Sequence, residues 1–187
     1  PENPSHRLAH VAMLRGAFNM LKFAGRNDNA EEFLKRAEDS LRLASVSHPE
    51  NLDVRELEIT LAHDRALLIE LGSPEREATF RKLAREAEEL LQTAPERSGV
   101  LAVTLSCLRE QLNELSAQER YEEVLENGAE QLELLKADRP AVARQGVDFI
   151  LSQQANTHRE LGRALASLGR TEEAIIAYNR GLEFARQ

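Results

Sequence analysis

Four prolines, Pro4, Pro49, Pro95 and Pro140, stand 45, 46 and 45 residues apart. Midway between them runs a second series of turn signals: Gly25 in "FAGRNDNAEE", Gly72 in "ELGSPERE", the "SAQERYEE" stretch and Gly169 in "SLGRTEEA". Gly25 to Gly72 is 47 residues, Gly72 to Glu119 is again 47, and Glu119 to Gly169 is 50. Two independent markers therefore report nearly the same period. A period of this size signals a supersecondary unit that cannot bury its own apolar face and must stack on its neighbours.

Each period reads as two helices. Ala, Leu, Glu and Arg dominate, aromatics are 4% and Trp is absent. Strong helix formers prevail, and the β-branched runs of a sheet are missing. The glycines suit the left-handed position that ends a helix. After them come caps and early acids: Asp28 before Glu31 and Glu32, Ser73 before Pro74 and Glu75, Thr171 before Glu172 and Glu173. A side-chain oxygen there accepts from unpaired backbone N–H groups, and acids suit the positive helix end. The third turn has no Gly, and Ser116 is its only obvious cap.

Second helices carry apolar stripes at three- and four-residue steps. Examples are Phe33/Leu34, Ala37, Leu41 and Ala44 in the first pair, and Ala174/Ile175, Tyr178, Gly181/Leu182 and Ala185 in the last. The expected fold is all-α: four antiparallel helix hairpins at about 4–48, 49–94, 95–139 and 140–187, some eight helices in all. They are expected to stack as a curved solenoid forming one repeat domain over 1–187. The first residue is Pro rather than Met, so the chain is expected to be excised from a larger protein.

The last hairpin, "HRELGRALASLGRTEEAIIAYNRGLEFA", resembles a tetratricopeptide repeat. Leu161 and Gly162, Leu165, the turn Gly169, then Ala174, Tyr178 and Gly181 fill that family's small and large places. Ala30, Leu34 and Ala37 hold the equivalent places in the first hairpin, and "YEEVLENGAEQLEL" in the third. The second fits only with a one-residue shift. The resemblance implies a right-handed α–α superhelix whose first helices line a concave face. This chain departs in its longer period, the family's unit being about 34 residues.

Three stretches, "RGAFN", "REQLN" and "RELGR", place an Arg four residues ahead of a second hydrogen-bonding residue. That spacing stacks both side chains on one helix face. Arg15 and Asn19, Arg109 and Asn113, and Arg159 and Arg163 each lie 10 and 6 residues before their turn residue, so they are equivalent. Lys22 extends the strip in the first hairpin and Asn156 in the fourth. A guanidinium fork pairs bidentately with a carboxylate, and Asn both donates and accepts. The Arg-xxx-Asn arrangement resembles the carboxylate clamp of chaperone-binding tetratricopeptide domains. In the second hairpin Ala62 and Ala66, or His63 and Leu67 with the shift, stand in its place.

The expected function is a non-catalytic scaffold binding an acidic or carboxylate-bearing protein or peptide segment in its groove. Two alternatives are a regulatory sensor for a small acidic effector and a self-association module of a larger signalling protein. The last helix carries Ile175, Ile176, Tyr178, Leu182 and Phe184 over more than one face. A following element or a partner is expected to cover it, and a homodimer through the terminal hairpins would do so. Solvated helix surface is the competing reading of the Arg pairs, since exposed ion pairs contribute only about 0–1 kcal/mol.

Net charge of −8 disfavours nucleic acid and acidic membranes as partners. No run approaches a membrane span, and a cytoplasmic setting is expected. Cys107, the single cysteine, lies in the apolar "AVTLSCL" and reads as a buried thiol. His6 and His10 share a face at metal-compatible spacing without a third ligand, and His63 beside Asp64 points elsewhere on its helix. No phosphate loop, nucleophile elbow or zinc motif occurs. No catalysis, cofactor or metal is expected.

Overall fold

A computed structural model of the chain describes residues 4–136 and 140–187, and these are all-helical, without a strand. The helices are α1 (Pro4–Phe23), α2 (Asn27–Ser47), α3 (Leu52–Ala66), α4 (Pro74–Thr93), α5 (Ser98–Ala117), α6 (Tyr121–Leu134), the one-turn α7 (Pro140–Ala143), α8 (Val147–Ser167) and α9 (Thr171–Ala185). Among the described residues, eight long helices match the expected number, and α7 is an addition. The chain divides into two compact units, 1–68 and 69–187. The dividing point falls inside the segment read as the second hairpin. The end of the third hairpin at residue 139 lies outside the described residues.

In the first unit α1 packs on α2 and α3 on both. Val11, Leu14 and Phe18 of α1 meet Ala30, Leu34, Ala37, Leu41 and Ala44 of α2, with Val54 and Leu61 of α3 completing the core. In the second unit α4 packs on α5, α5 on α6, α6 on α8 and α8 on α9. Its interior is partly polar. Gln111 Nε2 donates to the Phe80 carbonyl at 3.2 Å, Asn127 Nδ2 to Gln111 Oε1 at 3.1 Å, and Thr157 Oγ1 to Gln131 Oε1 at 2.9 Å. His158 also packs inside, its ring stacked on Phe184 at 5.6 Å.

Three turns close alike. Arg26 N–H donates to Leu21, Arg120 to Leu115 and Arg170 to Leu165, each at 2.9 Å, around a left-handed residue. That residue is Gly25 (φ 72°), Glu119 (φ 59°) or Gly169 (φ 75°). This is the six-to-one bond of a glycine-type helix stop, which uses up an otherwise orphaned carbonyl. Glu119 adopts the geometry without being glycine, so the turn alignment of the sequence has a backbone basis. The Arg that follows then anchors the next helix: Arg120 grips Glu123 and Arg170 grips Glu173 through paired N–H···O bonds.

Gly72 behaves differently. It has φ 81°, yet α3 ends at Ala66, six residues earlier, and Leu67 N–H bonds His63 instead. The Gly72 N–H donates to the buried Glu114 carboxylate at 2.6 Å. The second turn therefore belongs to the contacts of α5 rather than to the end of α3.

Close helix approach relies on small residues. A Cβ on Gly162 would lie 2.8 Å from the Tyr178 ring, and one on Gly128 2.5 Å from Leu161 Cδ2. Replacing Gly162 with Ala forces the ring off its seat and is expected to cost about 1–3 kcal/mol by overpacking. Glu119→Gly relieves left-handed strain and should raise stability by up to about 1 kcal/mol. Chemical denaturation of both variants, read by circular dichroism, checks the pair; a destabilised Glu119→Gly would contradict the turn assignment.

Candidate partner groove

The arginines of the three stretches do not stand alone. In the first unit Arg15 Nε donates to Asp64 Oδ2 at 2.6 Å, and Asp64 is buried. Burial opposes ionisation of Asp64 most strongly, but hydrogen bonds from His63 and Arg15 outweigh it, holding its carboxyl below the usual range. Asn19 is exposed, and Lys22 lies 6.0 Å over the Phe18 ring.

In the second unit the buried partners are Glu110 and Glu160, the residues following Arg109 and Arg159. Arg109 Nη2 approaches Glu110 Oε1 at 3.2 Å, and Asn113 Nδ2 donates to Glu110 Oε2 at 3.3 Å. Arg159 lies 3.2 Å from Glu160 Oε1, and Arg163 2.6 Å from Glu160 Oε2. Asn156 sits half-buried on α8.

Arg76 of α4 was not marked by any sequence signal. It is buried, with Nη2 3.2 Å from Glu110 Oε2 and Nε 2.9 Å from Glu114 Oε1, while Nη1 donates to the Ile69 carbonyl at 3.2 Å. Its guanidinium also lies 5.5 Å over the Phe80 ring. Glu110 and Glu114 are one turn apart on α5, so a single guanidinium serves both.

These residues border an open groove of about 640 Å³ lined by Leu71, Arg76, Glu110, Asn113, Ser116, Ala117, Tyr121, Arg163 and Ser167. Asn113 of α5 and Arg163 of α8, two of the predicted site residues, thus come together on one surface. Arg109 and Arg159 stand outside its lining, and Arg15, Asn19 and Lys22 belong to the other unit. Ser116 Oγ is buried without a hydrogen-bond partner.

Charge is uneven along this surface. Arg76 and Arg109 meet Glu110 and Glu114, two cations against two anions. Arg159 and Arg163 share Glu160 alone, leaving one positive charge in excess. Another cleft of about 360 Å³, between α4, α6 and α7, is apolar at Leu91, Pro95 and Leu134 but rimmed by Glu88, Glu130 and Glu133, and so repels acids.

Burial, and then the charge of Glu110, pushes the Cys107 thiol up to about 12, which makes it unreactive. Among the described residues no group of three metal-binding side chains occurs, and no helix is long and apolar enough to cross a membrane. No protein-family model matches the chain, and neither a curated protein nor a solved structure matches it.

Removing Arg76 leaves the buried Glu114 carboxylate without a counter-charge and Glu110 with Arg109 alone. Arg76→Met is expected to cost about 3–5 kcal/mol, measured by urea unfolding. Arg15→Ala should cost about 1–3 kcal/mol at neutral pH, since Arg15 is partly exposed and His63 remains beside Asp64. A depressed carboxyl stabilises the fold above its unfolded value, and that contribution is lost as pH falls through the folded one. The gap between wild type and Arg15→Ala should therefore close below about pH 4. A gap that persists in acid would rule out Asp64 as its source.

Proposed function

We propose that the chain is a tetratricopeptide-type interaction module that binds a carboxylate-bearing peptide segment through the groove between α5 and α8. One observation carries this reading: Asn113 and Arg163, at equivalent distances from their turns, line one groove, and Arg163 shares a single acid, Glu160, with Arg159. The excess cation suits one carboxylate, such as a peptide C-terminus. Asn113 and Ser167 offer hydrogen bonds to an extended backbone, and Leu71 and Tyr121 offer apolar contact.

The repeated turns and the seating of Tyr178 on Gly162 support the repeat assignment. The arginines are already paired, so a ligand competes with Glu160 for donors rather than meeting free guanidinium groups. Affinity is expected in the micromolar class, after ordering costs.

The test is fluorescence polarisation against acidic peptides carrying free or amidated C-termini. Free termini should bind at least tenfold more tightly, and Arg163→Ala should remove that preference while Asn113→Ala weakens binding less. Equal affinity for both peptide forms, or wild-type binding by Arg163→Ala, would overturn the reading.

A further inference from the structure

Between α3 and α4 the chain crosses from one compact unit to the other, and this crossing is built differently from the three regular turns. α3 stops at Ala66, and α4 begins at Pro74 after the Ser73 cap. Leu67 and Leu68 still donate back to His63 and Arg65, and Ser73 donates to Glu70. Among the described residues, Ile69, Glu70 and Leu71 donate no hydrogen bond to a backbone carbonyl. Burial compensates little: Leu67, Leu68 and Ile69 are half-buried, and Leu71 is 58% exposed. A segment with few apolar contacts and few backbone bonds lies at the low end of local stability.

Two side-chain bonds tie this segment down. The Gly72 N–H donates to Glu114 at 2.6 Å, and Arg76 Nη1 donates to the Ile69 carbonyl at 3.2 Å. Arg76 itself lies between Glu110 and Glu114, so both bonds come from one buried ion network. The same network reaches the groove between α5 and α8, where Arg76 and Glu110 form part of the lining. Leu71 lines that groove too. The crossing segment is therefore one wall of the groove, and the groove's own charges hold it in place.

We infer that residues 69–72 are a ligand-locked wall: a peptide in the groove covers Leu71 and holds the segment closed on Arg76 and Glu114, a coupling that rests on the peptide reading of the groove. Opening of the segment carries Leu71 out of the groove lining, so the closed form offers a peptide more apolar contact. A ligand that binds the closed form better shifts the equilibrium toward it by the ratio of its two affinities. Coupling between binding and closure is reciprocal, so losing the contact at Leu71 both weakens the peptide and releases the wall. The peptide's carboxylate leaves the tie intact. The excess cation lies on α8, where Arg159 and Arg163 share Glu160, whereas Arg76 is already matched by two acids of α5.

Amide hydrogen exchange of the 187-residue chain, resolved by residue with NMR, tests this. The probe is an acidic peptide ending in leucine with a free C-terminus, its saturation followed by fluorescence polarisation. At saturation the Gly72 N–H should exchange about tenfold more slowly, within the usual span of coupling between sites, while amides of α2 keep their rates. Leu71→Ser alters an exposed side chain and should leave melting unchanged. It should bind the peptide more weakly and show no slowing at Gly72 even when saturated. A peptide that binds wild type without slowing Gly72 overturns this inference and leaves the groove reading standing. So does full slowing in saturated Leu71→Ser, which would mark general stabilisation by any bound ligand. A peptide that does not bind wild type at all overturns both.

Discussion

A buried helical carboxylate met by a guanidinium is the interaction on which both units turn. Asp64 on α3 receives Arg15 from α1, and Glu110 and Glu114 on α5 receive Arg76 from α4. Glu160 on α8 receives two arginines of its own helix. Such pairs add little net stability over apolar residues of the same size, because desolvation offsets most of the attraction. They strongly penalise any helix register that separates the partners, since a lone buried charge costs several kcal/mol. Arg76 also carries the chain's irregular turn. By capturing Glu110 and Glu114 it presents the Glu114 carboxylate to the Gly72 N–H, and so fixes how the chain enters α4.

The regular part of this fold was legible in local sequence because its causes are local. A helix stop needs one left-handed residue and a following N–H that can reach back, and the same count from Leu21, Leu115 and Leu165 places all three. Even Glu119, with no glycine to mark it, was found by the period. The second hairpin was not legible, for a physical reason. Gly72 looks like the other turn glycines, but its conformation answers to a carboxylate 42 residues away, and nothing within α3 announces the early stop at Ala66.

The site was half legible. Periodicity placed Asn113 and Arg163 on equivalent positions, and they do meet at one groove. The buried acids Glu110 and Glu160 stand inside two of the same stretches, yet nothing local marks them as buried. Residues adjacent in sequence project from a helix in different directions. An arginine is long enough to curl back across that angle, and the burial of Glu110 and Glu160 makes the detour favourable. Arg76 was beyond reach altogether, because an Arg in the first turn of α4, between Glu75 and Glu77, reads as solvated surface until α5 covers it.

The charge pattern also decides which helix faces can exchange partners. In the first unit the position equivalent to Leu161 is Arg65, reached with the one-residue shift of α3. It lies 2.7 Å from both Glu31 and Glu38, which stand where α6 has Leu125 and Leu132. The equivalent pairing is thus ionic in the first unit and apolar in the second, where Leu161 lies against Gly128. The ionic version accepts no apolar partner in its place, because separating Arg65 from Glu31 and Glu38 would leave charges unpaired in an apolar contact, a penalty larger than the gain from a few methylenes.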